Sequence, residues 1–398
     1  MEFKMLKECL DHYVKDYNVP GVDCIVYKDH KEIFRYFSGV SDIESGKKVD
    51  GSELYYIFSM TKILTCAAAL QLFEKGAYKM DDPISKYMPE YEHVQIKQKR
   101  LDPECAARIA SGEIIEEPTY EKVLVDAKNP ITVHHLFTMQ GGLNYALKAP
   151  YILNTIEAGK TSTRELAGAM AKTQLGFEPG TRYCYSLCHD VLGALIEIWS
   201  GMSFGEYMRK NVFEPLGMKD THFGYPRSEA EAARMATLYR YDANRIPEKI
   251  DQQCPYTLTP EYESGGAGLI SSPSDYILFL DALSCGGVGQ SGYRILKEET
   301  VKMMATNQLK DKSFEDYLTT MKQKEGYGYG YGVRVHMNPE LSGAKSPIGE
   351  LGWDGAAGAY ALSDAENGVS IVYFQHVMNW GGVIHSELRD AFYSEFNK

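Results

Sequence analysis

Residues 59–74 read Ser-Met-Thr-Lys-Ile-Leu-Thr-Cys-Ala-Ala-Ala-Leu-Gln-Leu-Phe-Glu. From Thr61 onward the stretch has the length and composition of a buried helix that Gly76 ends, and Ser59 stands at its entrance. Ser59 and Lys62 are close to one helical turn apart and would share a face. A serine hydroxyl is a poor nucleophile until a neighbouring base takes its proton. A lysine buried against an apolar helix has its charged form disfavoured and can act as a base near neutral pH. The same spacing occurs at Ser45/Lys48 and Ser342/Lys345, but both lie in glycine-containing loops. Two readings of Ser59 stay open here, a nucleophile and a helix N-cap.

Working outward, residues 1–17 read as a surface helix with Phe3, Leu6, Leu10, Tyr13 and Tyr17 along one side. Residues 22–27 and 32–38 are β-rich and read as a hairpin about Lys28–Lys31. Residues 91–129 are charged and irregular, an exposed excursion or lid. Residues 132–139, 162–173 and 190–200 are helical candidates, the first entered through Thr132 and the last stopped by Gly201. A glycine-rich passage at 264–268 precedes a helix at 274–283. Strand-like runs follow at 331–336, 358–362 and 369–376, and a helix at 385–396 closes the chain. Strands thus cluster at both ends with helices between, which predicts an α/β fold: one antiparallel sheet from both ends and an inserted helical region.

The chain has 398 residues, 44% hydrophobic and 24% charged, which excludes a disordered tail or a fibre. Its formal net charge of −12 and lack of a basic patch argue against nucleic acid as a partner. The longest apolar run, 63–73, falls short of the roughly 18 residues a membrane span needs. Charges interrupt the N-terminal stretch, so it does not read as a secretion signal. The 8 cysteines form no spaced framework, and a reducing cytoplasm with free thiols is the expected setting.

Two further stretches carry chemical potential. The first is Tyr183-Cys184-Tyr185-Ser186-Leu187-Cys188-His189-Asp190, in which a tyrosine beside a cation can shuttle a proton. Packed core tyrosine is the competing reading. Cys184, Cys188 and His189 fit no common zinc spacing and read as small buried side chains, so no metal is expected. The second is residues 349–358, Gly-Glu-Leu-Gly-Trp-Asp-Gly-Ala-Ala-Gly. Its glycines would let a substrate carbonyl approach backbone N–H groups, as an oxyanion hole requires, or would form a bulge or tight turn. A Gly-x-Gly-x-x-Gly match at 287–292 follows a helix instead of a strand and is set aside.

Taken in order, these pieces resemble the serine β-lactamase-related family of class C β-lactamases, D-alanyl-D-alanine carboxypeptidases and family VIII esterases. Ser59-Met60-Thr61-Lys62 is similar to its Ser-x-x-Lys motif. Residues 131–143 (ITVHHLFTMQGGL), 213–221 (FEPLGMKDT) and 264–269 (SGGAGL) are further family-like stretches. The resemblance implies a β-lactamase-like (penicillin-binding transpeptidase) fold in one domain over 1–398. Its α/β part would be residues 1–75 and 265–398, and its helical part 76–264. It implies Ser59 as nucleophile, Lys62 as its proton-accepting partner and Tyr185 as base and then acid. The backbone N–H groups of Ser59 and Ala356 would form the oxyanion hole, and Trp353, Asp354 and Gly355 the substrate-binding third motif. No metal or organic cofactor is implied.

Two departures shape the expected activity. Where β-lactamases carry Tyr-x-Asn this chain has Tyr185-Ser186-Leu187, and where they carry Lys-Thr-Gly it has Trp353-Asp354-Gly355. An aspartate there would repel a substrate carboxylate. Both departures resemble the esterase branch. The expectation is therefore a serine hydrolase acting through an acyl-enzyme on small or medium acyl esters. Alternatives are a β-lactamase or D-amino-acid peptidase, an amidase, an acyltransferase, and a non-catalytic penicillin-binding-like sensor.

Overall fold

The computed structural model describes residues 2–250, 254–321, 325–381 and 384–397. The elements that position the site are helices α1 (Lys4–Asp16), α2 (Thr61–Glu74), α3 (Cys188–Ser200), α4 (Pro273–Ser284) and α5 (Ile384–Phe396). The strands are β1 (Gly21–Lys28), β2 (Lys31–Asp42), β3 (Lys47–Lys48), β4 (Tyr327–Tyr329), β5 (Arg334–His336), β6 (Leu351–Asp354), β7 (Tyr360–Asp364) and β8 (Val369–Phe374). They form one sheet in the order β4-β5-β6-β7-β8-β1-β2-β3, with every neighbouring pair antiparallel. The two ends of the chain meet in the middle of this sheet, where Ile25 of β1 faces Val372 of β8.

Both faces of the sheet are covered, so β1 and β8 are apolar almost without interruption. Strand alternation sends Val22, Cys24, Val26, Leu362, Ile371 and Tyr373 towards α1 and α5, where they meet Leu6, Leu10, Tyr13, Leu388 and Phe392. The alternate set, including Ile25, Ala361, Val372, Phe374 and Trp353, joins the larger core with α2 and α4. Each fully buried Val, Leu or Ile side chain contributes roughly 1.5–3 kcal/mol. Helix α2 runs inside that core, buried from Thr61 to Leu72. Its polar groups are met: Thr65 Oγ1 donates to Gly265 O at 2.7 Å, and Gln71 Nε2 donates to Asn211 O at 3.0 Å.

Helix α3 packs on α2 and ends on Gly201, whose φ of 70° is the left-handed cap that the sequence anticipates. Thr132 caps the short helix Val133–Phe137 by accepting from His135 N–H. Residues 91–129 depart from expectation. They hold an antiparallel pair, Gln95–Leu101 with Tyr120–Asp126, and a helix, Pro103–Ala110, between them. Lysine, arginine and glutamine occupy both faces of Gln95–Leu101, and the exposed face of Tyr120–Asp126 carries Tyr120 and Leu124, so neither strand shows a clean apolar alternation. Strand β6 lies inside the glycine-rich 349–358 stretch, which the sequence offers as an oxyanion-hole loop or a bulge or tight turn and not as a strand. All 8 cysteines are free thiols. Among the described residues no helix is long and apolar enough to cross a membrane.

Candidate active site

Ser59 sits in a short 3-10 turn, Phe58–Met60, that feeds directly into α2. The preceding Phe58 adopts φ 47°, a left-handed conformation that a bulky residue enters only under constraint. The constraint is visible around it. Ile57 N–H donates to Leu269 O at 3.1 Å, Tyr276 Oη donates to Met60 O at 2.7 Å, and Leu269 N–H donates to Thr61 Oγ1 at 3.2 Å. Ser59 is thereby left partly exposed within a run of buried neighbours.

One turn on, Lys62 is fully buried. Its Nζ reaches Gly266 O at 2.7 Å, Ser59 Oγ at 3.3 Å and Tyr145 Oη at 3.3 Å. Burial lowers the Lys62 ammonium to about 8, against the opposing pull of Asp190. Asp190 is itself buried and accepts from Tyr262 Oη at 2.7 Å and Ser264 Oγ at 2.6 Å. Its Oδ2 has no hydrogen-bond partner among the described residues. A Cβ on Gly266 would lie 2.6 Å from that oxygen and 3.4 Å from Lys62 Nζ, so only glycine leaves the lysine and the carboxylate their shared space.

Tyr185 closes the other side. Lys62 Nζ lies 4.6 Å from its ring centroid, and Trp353 Nε1 donates to its hydroxyl at 3.3 Å. The ring is stacked between Tyr145 at 5.8 Å and Trp353 at 5.8 Å. Burial pushes the Tyr185 phenol well up, and the polar groups of Ser59 and Trp353 beside it oppose that shift. The segment carrying Tyr185 is pinned to residues 139–144, with Cys184 N–H on Met139 O at 3.0 Å and Leu187 N–H on Asn144 O at 3.2 Å.

The third stretch arrives from the sheet. Gly355 follows β6 and packs so tightly on the Ser59 turn that a Cβ there would lie 2.6 Å from Ile57 O. A tight turn follows, closed by Gly358 N–H on Gly355 O at 2.9 Å, with Ala356 at its partly exposed shoulder. Neither Ser59 N–H nor Ala356 N–H donates to a protein acceptor among the described residues. His385 of α5 backs the turn, with Nε2 at 3.0 Å from Gly358 O and Nδ1 at 3.9 Å from Asp354 Oδ2.

Ser59, Lys62, Tyr185 and Trp353 are thus brought together, with Gly355 and Ala356 against the same turn. Cys184, Cys188 and His189 are not gathered as a metal set. His189 is buried beside Phe137 O at 3.3 Å and Cys66 Sγ at 3.5 Å, and burial drops it to about 3. Sequence reasoning missed Tyr145 and assigned no role to Asp190. The only sequence signal for Tyr145 is its position just after the 131–143 segment.

A family model described as Beta-lactamase matches residues 6–391. Esterase EstB from Burkholderia gladioli is 26% identical over 415 residues, covering 98% of this chain and 94% of its own. Among solved structures, EstCE1, "a hydrolase with promiscuous acyltransferase activity", superposes with a TM-score of 0.77 at 22% identity, covering 98% of each chain. Simvastatin synthase LovD from Aspergillus terreus superposes with a TM-score of 0.79 at 20% identity, covering 99% of this chain and 98% of its own. The two superpositions bear on the fold, which is that of the β-lactamase and penicillin-binding proteins.

Proposed function

Because the chain belongs to the Beta-lactamase family, we propose that it is a serine hydrolase acting through an acyl-enzyme, with carboxylic esters as its substrates. The observation that carries the proposal is Lys62, buried, 3.3 Å from Ser59 Oγ and lowered to about 8. At neutral to mildly alkaline pH a fraction of Lys62 is uncharged and takes the Ser59 proton as Oγ attacks the ester carbonyl. The Ser59 and Ala356 N–H groups hold the developing oxyanion. Tyr185, kept protonated by burial, gives its proton to the leaving alkoxide and regains one from Lys62. Water then attacks the acyl-enzyme by the same route, releasing the acid and returning Ser59 to its hydroxyl form.

Two features favour esters over lactams and peptides. Leu187 is buried at the position where β-lactamases of the family carry an amide. Trp353 and Asp354 stand where they carry lysine and threonine, so the cation is lost and a carboxylate is added. The esterase relative supports the same reading. A second reading, acyl transfer to an alcohol, is supported by the two structural neighbours named for acyl transfer or synthase activity. It differs only in the nucleophile of the second half-reaction.

The test is a paired assay of wild type and Ser59→Ala on p-nitrophenyl butyrate and a chromogenic cephalosporin. Ester turnover lost in the variant, with slow or absent cephalosporin turnover, is expected. Faster cephalosporin than ester turnover would overturn the assignment of the third motif. Added short alcohols that divert product from acid to new ester, without slowing p-nitrophenol release, would favour the transferase reading.

A further inference from the structure

At the C-terminal end of α4, whose Tyr276 nearer the other end contacts Met60, the β1–β2 hairpin turns through Asp29 and His30 alone. Both have positive φ, 48° and 67°. Two-residue turns of this hand favour glycine in the second place, because a side chain there is strained. A histidine at such a position persists only where its surroundings over-determine it. Here they do. His30 N–H donates to Asp281 Oδ1 at 3.0 Å, its Nδ1 lies 2.7 Å from Asp281 Oδ2, and Gln290 Nε2 donates to its carbonyl at 2.9 Å.

Asp281 belongs to α4 and is fully buried, while His30 keeps 36% of its side chain exposed. Cys285 caps the same helix one turn further on, and its Sγ stands 3.9 Å from Asp281 Oδ1. Donor atoms of the three residues lie within 4.8 Å of one another. We infer that His30, Asp281 and Cys285 form a binding site for one divalent zinc-class ion. An imidazole nitrogen, a carboxylate oxygen and a thiolate sulfur are the donor set such ions take, at about 2.0–2.3 Å each. Binding would require these side chains to turn until the donor atoms stand roughly 3.3–3.7 Å apart, against 2.7 Å for His30 Nδ1 and Asp281 Oδ2 and 3.9 Å for Cys285 Sγ and Asp281 Oδ1. The ion displaces the Cys285 thiol proton to solvent and replaces the proton between His30 Nδ1 and Asp281 Oδ2, which leaves to solvent or leaves the imidazole protonated at Nε2, and water at the exposed His30 side completes a tetrahedron. Such an ion would tie the hairpin to the C-terminal end of α4 through three residues outside the Ser59 site, so its role would be structural.

A simple ion pair between His30 and Asp281, with Cys285 a bystander, is the competing account, and one experiment separates them. The 398-residue chain, kept reduced with a non-thiol reductant and stripped by chelator, is titrated with Zn²⁺ against a chromophoric competitor and separately with Co²⁺. One zinc per chain and a near-ultraviolet thiolate-to-cobalt band are expected. Cys285→Ser and His30→Gly should each abolish the band and weaken zinc binding by at least about 100-fold. His30→Gly places the residue the turn prefers at φ 67°, and circular dichroism checks that each variant stays folded. Should His30→Gly fail to fold, Cys285→Ser carries the comparison alone. No zinc uptake at micromolar concentration, or uptake unchanged in Cys285→Ser, would overturn the site.

Discussion

Lys62 is the residue whose physics links stability to activity. Its folded value, about 8, lies below the 10.5 of an exposed lysine, so between those limits the unfolded chain holds a proton that the native chain has shed. Stability then rises with pH through that window. Below the folded value the buried charge costs about 3 kcal/mol, and this burden lifts as pH climbs towards the unfolded value. Lys62→Met should abolish turnover while removing that slope, so chemical denaturation from pH 7 to 10 would flatten relative to wild type. In wild type, kcat/KM for ester should rise through a pKa near 8 as Lys62 loses its proton. A rate independent of pH from 6 to 9 would remove Lys62 as the base.

At the scale of elements, the site depends on how closely the end of β6 can approach the turn that opens α2. Gly355→Ala would put a methyl group 2.6 Å from Ile57 O and push Ala356 away from Ser59. About a 10²-fold fall in kcat follows if that N–H serves the oxyanion, with KM much less affected. Gly201→Ala offers the contrast. Its Cβ would meet nothing, but φ 70° strains any side chain, so stability should fall by about 1 kcal/mol with kcat unchanged. Thermal melts with parallel ester assays check both.

The elements legible in the sequence are those whose burial leaves a one-dimensional trace. Helix α2 reads from its apolar run, α3 from its length and Gly201, and the first hairpin from its β-rich flanks. Strand β6 does not, because it is only Leu351–Asp354 and lies among glycines. The 95–126 strand pair escapes too, because polar residues lie on both faces of its first strand and Tyr120 and Leu124 are exposed on its second. Ser59 and Lys62 stand out only by spacing combined with the buried helix they open, and Tyr185 only through family resemblance. Tyr145 and the Asp190 carboxylate meet Lys62 across 83 and 128 residues of chain, a separation no local pattern encodes.

For the whole molecule, the decisive feature is that the chain's two ends make one sheet. A buried ionic network secures its β4–β6 end, next to the third motif. Arg334 Nη2 donates to Glu350 Oε1 at 2.9 Å, Tyr327 Oη to Glu350 Oε2 at 3.0 Å, and Arg389 Nη1 of α5 to Tyr327 Oη at 2.7 Å. Burial opposes the Glu350 charge, but Arg334 and Arg389 outweigh it and hold the carboxyl below its usual range. Arg334→Met would take away the carboxylate's ion-pair partner, leaving Tyr327, Ser346 and the charge of Arg389, and should cost about 3 kcal/mol, read as a lower denaturant midpoint. Since Gly352 of β6 pairs with Arg334 of β5, loosening this end should also depress ester turnover before global unfolding.

The central claim is that ester substrates acylate Ser59. The direct measurement is intact-protein and peptide mass spectrometry after rapid acid quench of wild type with p-nitrophenyl butyrate. One butyryl group on the peptide containing Ser59, formed within the first turnover and absent from Ser59→Ala, is the predicted result. Turnover with no adduct, or an adduct on another residue that survives in Ser59→Ala, would contradict it.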